Sequence, residues 1–203
     1  MKIKLIDQRV KILTPIKECR SFEKRIERAG RVCYKSEGRI TPGSARDFVQ
    51  RIINNGHESV FEHCFLSVLF TTDRAMANAL VRHRHCAFSQ ESTHYINYLK
   101  KDEIQIVKQE GFPDEDLKWA AEIAIDNYCN FKNIVPVARR SLLPLGLKTE
   151  LVMTTNIREW RHILRIRTAK GCHPQMRALI LKLLSWFKGF LPIFVSDISE
   201  FQK

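Results

Sequence analysis

The chain has 203 residues, 44% of them hydrophobic and 28% charged, proportions that exclude a disordered or fibrous chain and leave enough apolar material for a sizeable core. No apolar run reaches the ~18 residues of a membrane span, and the start alternates charge with aliphatics where a secretory signal is continuously apolar, so a cytoplasmic protein with no membrane partner is expected. The formal net charge of +12 calls for acidic partners, phosphorylated small molecules and nucleic acid among them.

No repeat and no linker rich in Gly, Ser or Pro divides the chain, which predicts a single domain over residues 1–203. In chain order, residues 2–13 (KIKLIDQRVKIL) read as a strand or hairpin and residues 21–34 as a helix. Residues 41–56 carry clearer signals, with Thr41 as N-cap, Pro42 at the first helical position and Asn55-Gly56 as the stop. The run CFLSVLFTT at 64–72 reads as a buried strand, and it feeds a helix at 73–84 with Asp73 at its positive end. Residues 113–133 begin with acids and repeat apolar side chains at helical spacing. A short helix at 136–144, a strand at 147–155 and two long helices at 156–171 and 174–190 complete the series. Strands interleaved with helices, but too few for repeated strand–helix–strand units, predict an α+β fold.

On the helix after Thr155, Arg167 falls within about 80° of Ile157, Trp160, Ile163 and Leu164, and so lies inside the apolar face. A guanidinium cannot be deprotonated, so burial there demands an internal salt bridge, a snorkelling stem or an anionic ligand. Arg158, Arg161 and Arg165 occupy the other side and read as a solvated basic face. The segment GHESVFEHC at 56–64 pairs histidines with acids, yet His57 and His63 are six apart rather than the four a zinc helix needs, so no metal is expected. The standard glycine-rich phosphate loops are absent, which leaves side chains to hold any phosphate. Arg82, His83, Arg84 and His85 supply such side chains, followed by the hydroxyl-bearing stretch FSQEST. Six cysteines stand singly, with no Cys-x-x-Cys pair, and read as reduced structural thiols.

The pattern Arg82-His83-Arg84, seven residues, then Ser92 resembles the signature of the flavin-dependent thymidylate synthases. The similarity extends to GHESVFEH upstream, to RRSLLPL at 139–145 and to the helix NIREWRHILRIR at 156–167. That resemblance implies mixed helices around a central, mostly antiparallel sheet. It implies an FAD site made by Ser59, Arg82, His83, Arg84, Gln90, Asn156, Arg158 and His162. It also implies a dUMP site made by Arg82, Gln90, Glu91, Ser92, Thr93, His94, Arg140 and Arg167, with Arg167 as the catalytic arginine against the uracil. The implied reaction is reductive methylation of dUMP to dTMP, with 5,10-methylenetetrahydrofolate as carbon donor and FAD reduced by NADPH as hydride source. The implied assembly is a homotetramer with sites shared between subunits, and no nucleic-acid partner. Two positions depart from the family pattern: His94 stands where an arginine is usual and Ala79 where a glutamine is usual. They support an alternative reading as a non-catalytic flavin- and nucleotide-binding relative. The net charge alone supports a third, a nucleic-acid-binding protein, but no aromatic-rich basic motif accompanies it.

Overall fold

In the computed structural model, which describes residues 1–199, the chain opens with β1 (Lys2–Ile6) and β2 (Arg9–Ile12). These do not form the hairpin their sequence allowed. β1 pairs in parallel with β5 (Glu103–Val107), from Lys2 against Glu103 to Ile6 against Val107. β2 joins a separate four-stranded sheet of order β2-β3-β6-β4, where β3 is Phe65–Asp73, β4 is Ala87–Gln90 and β6 is Lys148–Asn156. A hairpin reading sees only neighbours in sequence, and the partner of β1 lies at Glu103. The helices are α1 (Ile16–Cys19), α2 (Phe22–Val32), α3 (Ser44–Asn54), α4 (Arg74–Leu80), α5 (Asp114–Asn130), α6 (Pro136–Arg139), α7 (Ile157–Thr168) and α8 (Pro174–Phe190). The fold is α+β.

The chain forms two compact units, each assembled from separate segments. Unit 1 takes residues 1–9, 69–83 and 88–152; unit 2 takes 10–68, 84–87 and the described residues from 153 onward. In unit 1, Ala121, Ile125 and Tyr128 form a stripe on α5 that packs with Ile3, Ile104, Ile106, Leu147 and Tyr98. Asp114, Glu115 and Asp116 sit in the first turn of α5, where the helix dipole favours negative charge. α4 starts at the buried Asp73, whose Oδ1 accepts from Met76 N–H at 2.7 Å and whose Oδ2 accepts from Gln109 Nε2 at 3.1 Å. The helix stops at Leu80, earlier than its sequence suggested, and His83 N–H donates to Leu80 O at 3.1 Å. Arg82 and His83 therefore leave from a turn rather than from the end of a helix.

In unit 2, α3 begins at Ser44, so Thr41 and Pro42 are not its cap and first residue. Gly43 takes φ +94°, a left-handed conformation that L side chains avoid, and a helix cannot run through it. Ser44 Oγ accepts from Thr41 N–H at 3.0 Å and donates to Glu27 Oε2 at 2.9 Å. Glu27 on α2 in turn takes Arg31 Nη2 at 2.8 Å and Nε at 3.2 Å, and the Arg31 guanidinium lies 5.0 Å from the centre of the Phe48 ring. Both members of this pair are almost sealed from water. α7 buries Ile157, Trp160, Ile163 and Leu164, with Trp160 Nε1 donating to Leu66 O at 2.9 Å. α8 packs against α7 with Met176, Leu179, Ile180, Leu183, Leu184 and Phe187 buried.

Removing one member of a buried ion pair strands the other. Glu27→Leu is expected to lower unfolding stability by about 3 kcal/mol in urea denaturation, and Glu27→Leu with Arg31→Met to recover most of it. A single variant as stable as wild type would contradict the burial of the pair.

Candidate functional site

Asn156 ends β6 and caps α7: its Oδ1 accepts from Glu159 N–H at 2.9 Å, which leaves the side-chain amide nitrogen as a donor. Arg158 and His162 follow at i, i+4 spacing on the same side of α7. These three residues, each expected from sequence, line a cleft of about 650 Å³ in unit 2 together with Glu58, Glu62, His85, Glu159 and Arg165. His85 belongs to the short segment 84–87, which is tied down where Thr155 Oγ1 donates to His85 O at 2.6 Å. Arg158 Nη1 reaches Glu62 Oε1 at 2.5 Å. Ser59 lines a second cavity of about 470 Å³ that shares Glu58 and Arg158 with the first and adds His57, Tyr34 and Phe48. Arg84 is exposed and lines neither cavity.

The sealed arginine of α7 is Arg161, not Arg167. Arg161 has no exposed side-chain surface, whereas Arg167 in the last turn is half-buried and lines neither cavity. Arg161 lies about 40° from Ile157 and about 20° from Thr168, so the buried arc of α7 continues past its apolar residues onto a guanidinium. What permits this is a set of anions. Arg161 Nη1 and Nη2 reach Asp197 Oδ1 and Oδ2, each at 2.9 Å, and Nη2 reaches Glu58 Oε1 at 2.9 Å. Nη1 also donates to Phe194 O, and the guanidinium carbon lies 5.7 Å from the centre of the Phe61 ring. Arg165 Nη2 joins the same cluster, at 2.9 Å from Glu58 Oε1 and 2.8 Å from Asp197 Oδ2. Arg161 and Arg165 therefore do not form a solvated basic face. Burial pushes the Glu58 and Asp197 carboxyls up, but the hydrogen bonds and charges of Arg161 and Arg165 outweigh it and hold both below the usual carboxylate range.

Unit 1 holds a cavity of about 450 Å³ lined by Arg74, Thr93, Arg140, Ser141, Leu143 and Leu145 among others. Thr93 and Arg140 were expected; Arg74 was not, and its only signal was its place directly after the Asp73 cap. The Arg74 guanidinium donates to Glu91 O at 3.3 Å and Thr149 Oγ1 at 3.4 Å, neither of which lines the cavity. Gln90, Glu91, Ser92, His94 and Arg82 belong to unit 1 but do not line that cavity. Gln90 carries a buried Nε2 with no hydrogen-bond partner among the described residues. Glu91 pairs with Lys148 Nζ at 3.0 Å, and Ser92 Oγ accepts from His94 N–H at 3.2 Å. The His94 ring meets the exposed Tyr95 edge-on at 4.8 Å. His83 is buried, and Arg82 is exposed.

Burial pushes the thiols of Cys64 and Cys86 up to about 11 and raises that of Cys19, so none of these three is a ready thiolate at neutral pH. Among the described residues, no three His, Cys, Asp or Glu side chains are placed to hold a metal ion. No described helix is long and apolar enough to cross a membrane.

The family model described as thymidylate synthase complementing protein matches residues 16–193. The chain belongs to this family. Flavin-dependent thymidylate synthases of Mycobacterium tuberculosis and Mycolicibacterium gilvum are each 29% identical to it, over 196 and 197 residues, covering 85% of this chain and 78% of theirs. Among solved structures, thymidylate synthase X of Helicobacter pylori with FAD and dUMP aligns with a TM-score of 0.77 at 20% identity, over 94% of this chain and 98% of that one. A UMP/dUMP methylase, PolB of Streptomyces cacaoi with 5-Br dUMP, aligns with a TM-score of 0.77 at 20% identity over 100% of both chains. These two structures share the fold of the family member described here.

Glu58 and Asp197 titrate lower in the folded chain than at their ordinary values of 4.5 and 3.8. The stability they contribute is therefore whole above about pH 5 and is lost as pH falls through about 4.5 and below. Glu58→Gln should lower the urea midpoint at neutral pH and flatten its decline below about pH 4.5 relative to wild type. Parallel declines in the two proteins would contradict the shift.

Proposed function

We propose that this chain is a flavin-dependent thymidylate synthase, which converts dUMP to dTMP using 5,10-methylenetetrahydrofolate as carbon donor and FAD reduced by NADPH. The observation that carries this reading is the meeting of Asn156, Arg158 and His162, from a single family-matching helix, on one cleft. Its volume of about 650 Å³ lies within the range of cofactor sites. Its lining offers the donors of Asn156, Arg158 and His162 and an acceptor in Glu58 Oε2, which takes no hydrogen bond among the described residues. The residues present therefore fit a flavin, and FAD when bound supplies the hydride.

The remaining work belongs to the chain's own side chains: to bind, orient and polarise. Ser59, Arg82, His83 and Arg84 would complete the flavin contacts, with the exposed Arg82 and Arg84 able to meet a pyrophosphate. In unit 1, Arg140 and Arg74 would neutralise the dUMP phosphate, and Gln90, Glu91, Ser92, Thr93 and His94 would meet the rest of the nucleotide. Arg167 would set its planar guanidinium against the uracil and stabilise the ring ionised at N3. Elevated thiols at Cys19, Cys64 and Cys86 support chemistry without a cysteine nucleophile at these positions. The reading includes a cytoplasmic homotetramer with sites shared between subunits, as the family resemblance implies. It requires no nucleic-acid or membrane partner.

The test is NADPH oxidation by the flavin-loaded protein with dUMP and methylenetetrahydrofolate, coupled to detection of dTMP. Wild type should form dTMP. Arg167→Ala should keep FAD but lose nearly all product, with little rescue by lysine, and Arg74→Ala should weaken dUMP by about tenfold or more. Flavin and dUMP binding without dTMP would overturn the synthase reading in favour of a binding relative.

A further inference from the structure

Asp197 follows the short turn Pro192–Val195 beyond α8 and lines neither cavity of unit 2. Its carboxylate nevertheless takes three guanidinium N–H bonds: Arg161 Nη1 on Oδ1, and Arg161 Nη2 and Arg165 Nη2 on Oδ2, all between 2.8 and 2.9 Å. Glu58 Oε1 takes one more from each arginine. Two cations are thus shared between two carboxylates, and only one of those carboxylates belongs to the cleft wall.

The division matters because the two arginines differ in exposure. Arg161 is sealed and cannot shed its proton, so whatever acceptors remain must serve it first. With Asp197 absent, the nearest remaining carboxylate is Glu58, which would turn toward Arg161 to offer both oxygens. Arg165, with 34% of its side chain exposed, would then lose both partners and become a mobile cation among Glu62, Glu159, Arg158, His85 and His162. Both displaced groups, Glu58 and Arg165, line the cleft.

We propose that Asp197 is a positioning residue for the flavin cleft: by satisfying Arg161 bidentately and anchoring Arg165, it frees Glu58 Oε2 to face the ligand and keeps the cleft wall in one charge-paired arrangement. The proposal rests on the flavin reading of that cleft. It assigns the C-terminal segment a part in cofactor binding that it performs without touching the cofactor.

The experiment measures FAD dissociation constants by flavin fluorescence, visible flavin spectra and thermal midpoints for the 203-residue wild type, Asp197→Asn, Asp197→Glu and Trp186→Ala. Trp186→Ala removes a stacked Trp186–Phe190 pair on α8 and lines neither cavity, so it controls for loss of stability alone. Asp197→Asn should weaken FAD by about tenfold and shift the flavin spectrum, Asp197→Glu should recover most of that affinity, and Trp186→Ala should stay within about twofold of wild type. If the asparagine variant does not accumulate, Asp197→Ser, which leaves room for water beside the guanidinium groups, is read against the same control. An asparagine or serine variant that binds FAD as tightly as wild type, or weakens it no more than Trp186→Ala does, overturns the role of Asp197 while leaving the flavin site intact. A wild-type protein that takes up no FAD overturns the flavin reading and this proposal with it.

Discussion

Arg161 is a permanently charged group with no access to water, and α7 can pack only if anions are brought to it. Those anions come from far along the chain, Glu58 at a separation of 103 residues and Asp197 at 36. The requirement explains why the turn at 58–63 and the segment after α8 both close on this helix. Within the cluster, the two guanidinium groups of Arg161 and Arg165 are balanced by the two carboxylates of Glu58 and Asp197. A buried ion cluster of this kind need not add net stability over an apolar core, but losing any member leaves an uncompensated charge.

The same helix explains how the candidate residues come together. Asn156 is spent on capping α7 through its oxygen, so its nitrogen is presented where the helix begins. Ile157 N–H donates to Cys64 O at 2.9 Å, which ties the start of α7 to the segment carrying Glu58 and Ser59. Arg158 and His162 then follow by helical period alone. In unit 1 the corresponding economy is at Asp73, whose two oxygens cap α4 and hold Gln109, while Arg74 beside it lines a cavity together with Arg140.

Much of this was legible in the sequence, for identifiable reasons. The acid-led start and apolar stripe of α5, and the aliphatic period of α8, are local signals that packing did not override. Strands β3 and β6 announced themselves through β-branched and apolar runs. β4 and β5 did not, because four or five residues of mixed character form strands only when distant partners pair with them. The start of α3 was misplaced because Gly43 acts through its backbone angle, which a capping pattern does not reveal. Asn156, Arg158 and His162 were named through the resemblance to a family motif, and they line one cleft because one helix and its cap carry all three. Arg161 was misread because it lies just beyond the apolar arc that periodicity marks, and the carboxylates that make its burial tolerable, Glu58 and Asp197, come from distant segments. Arg74 left no signal beyond its neighbour.

A cleft wall fixed by Arg161 should be formed before any ligand arrives, and native-state hydrogen exchange on the ligand-free protein tests this most directly. Backbone amides from Trp160 to Leu164 in α7 are expected to exchange only through global unfolding, with an opening free energy that matches the stability from urea denaturation. Exchange of these amides through a low-energy local opening, well below the global value, would contradict an ion cluster that holds the cleft in place.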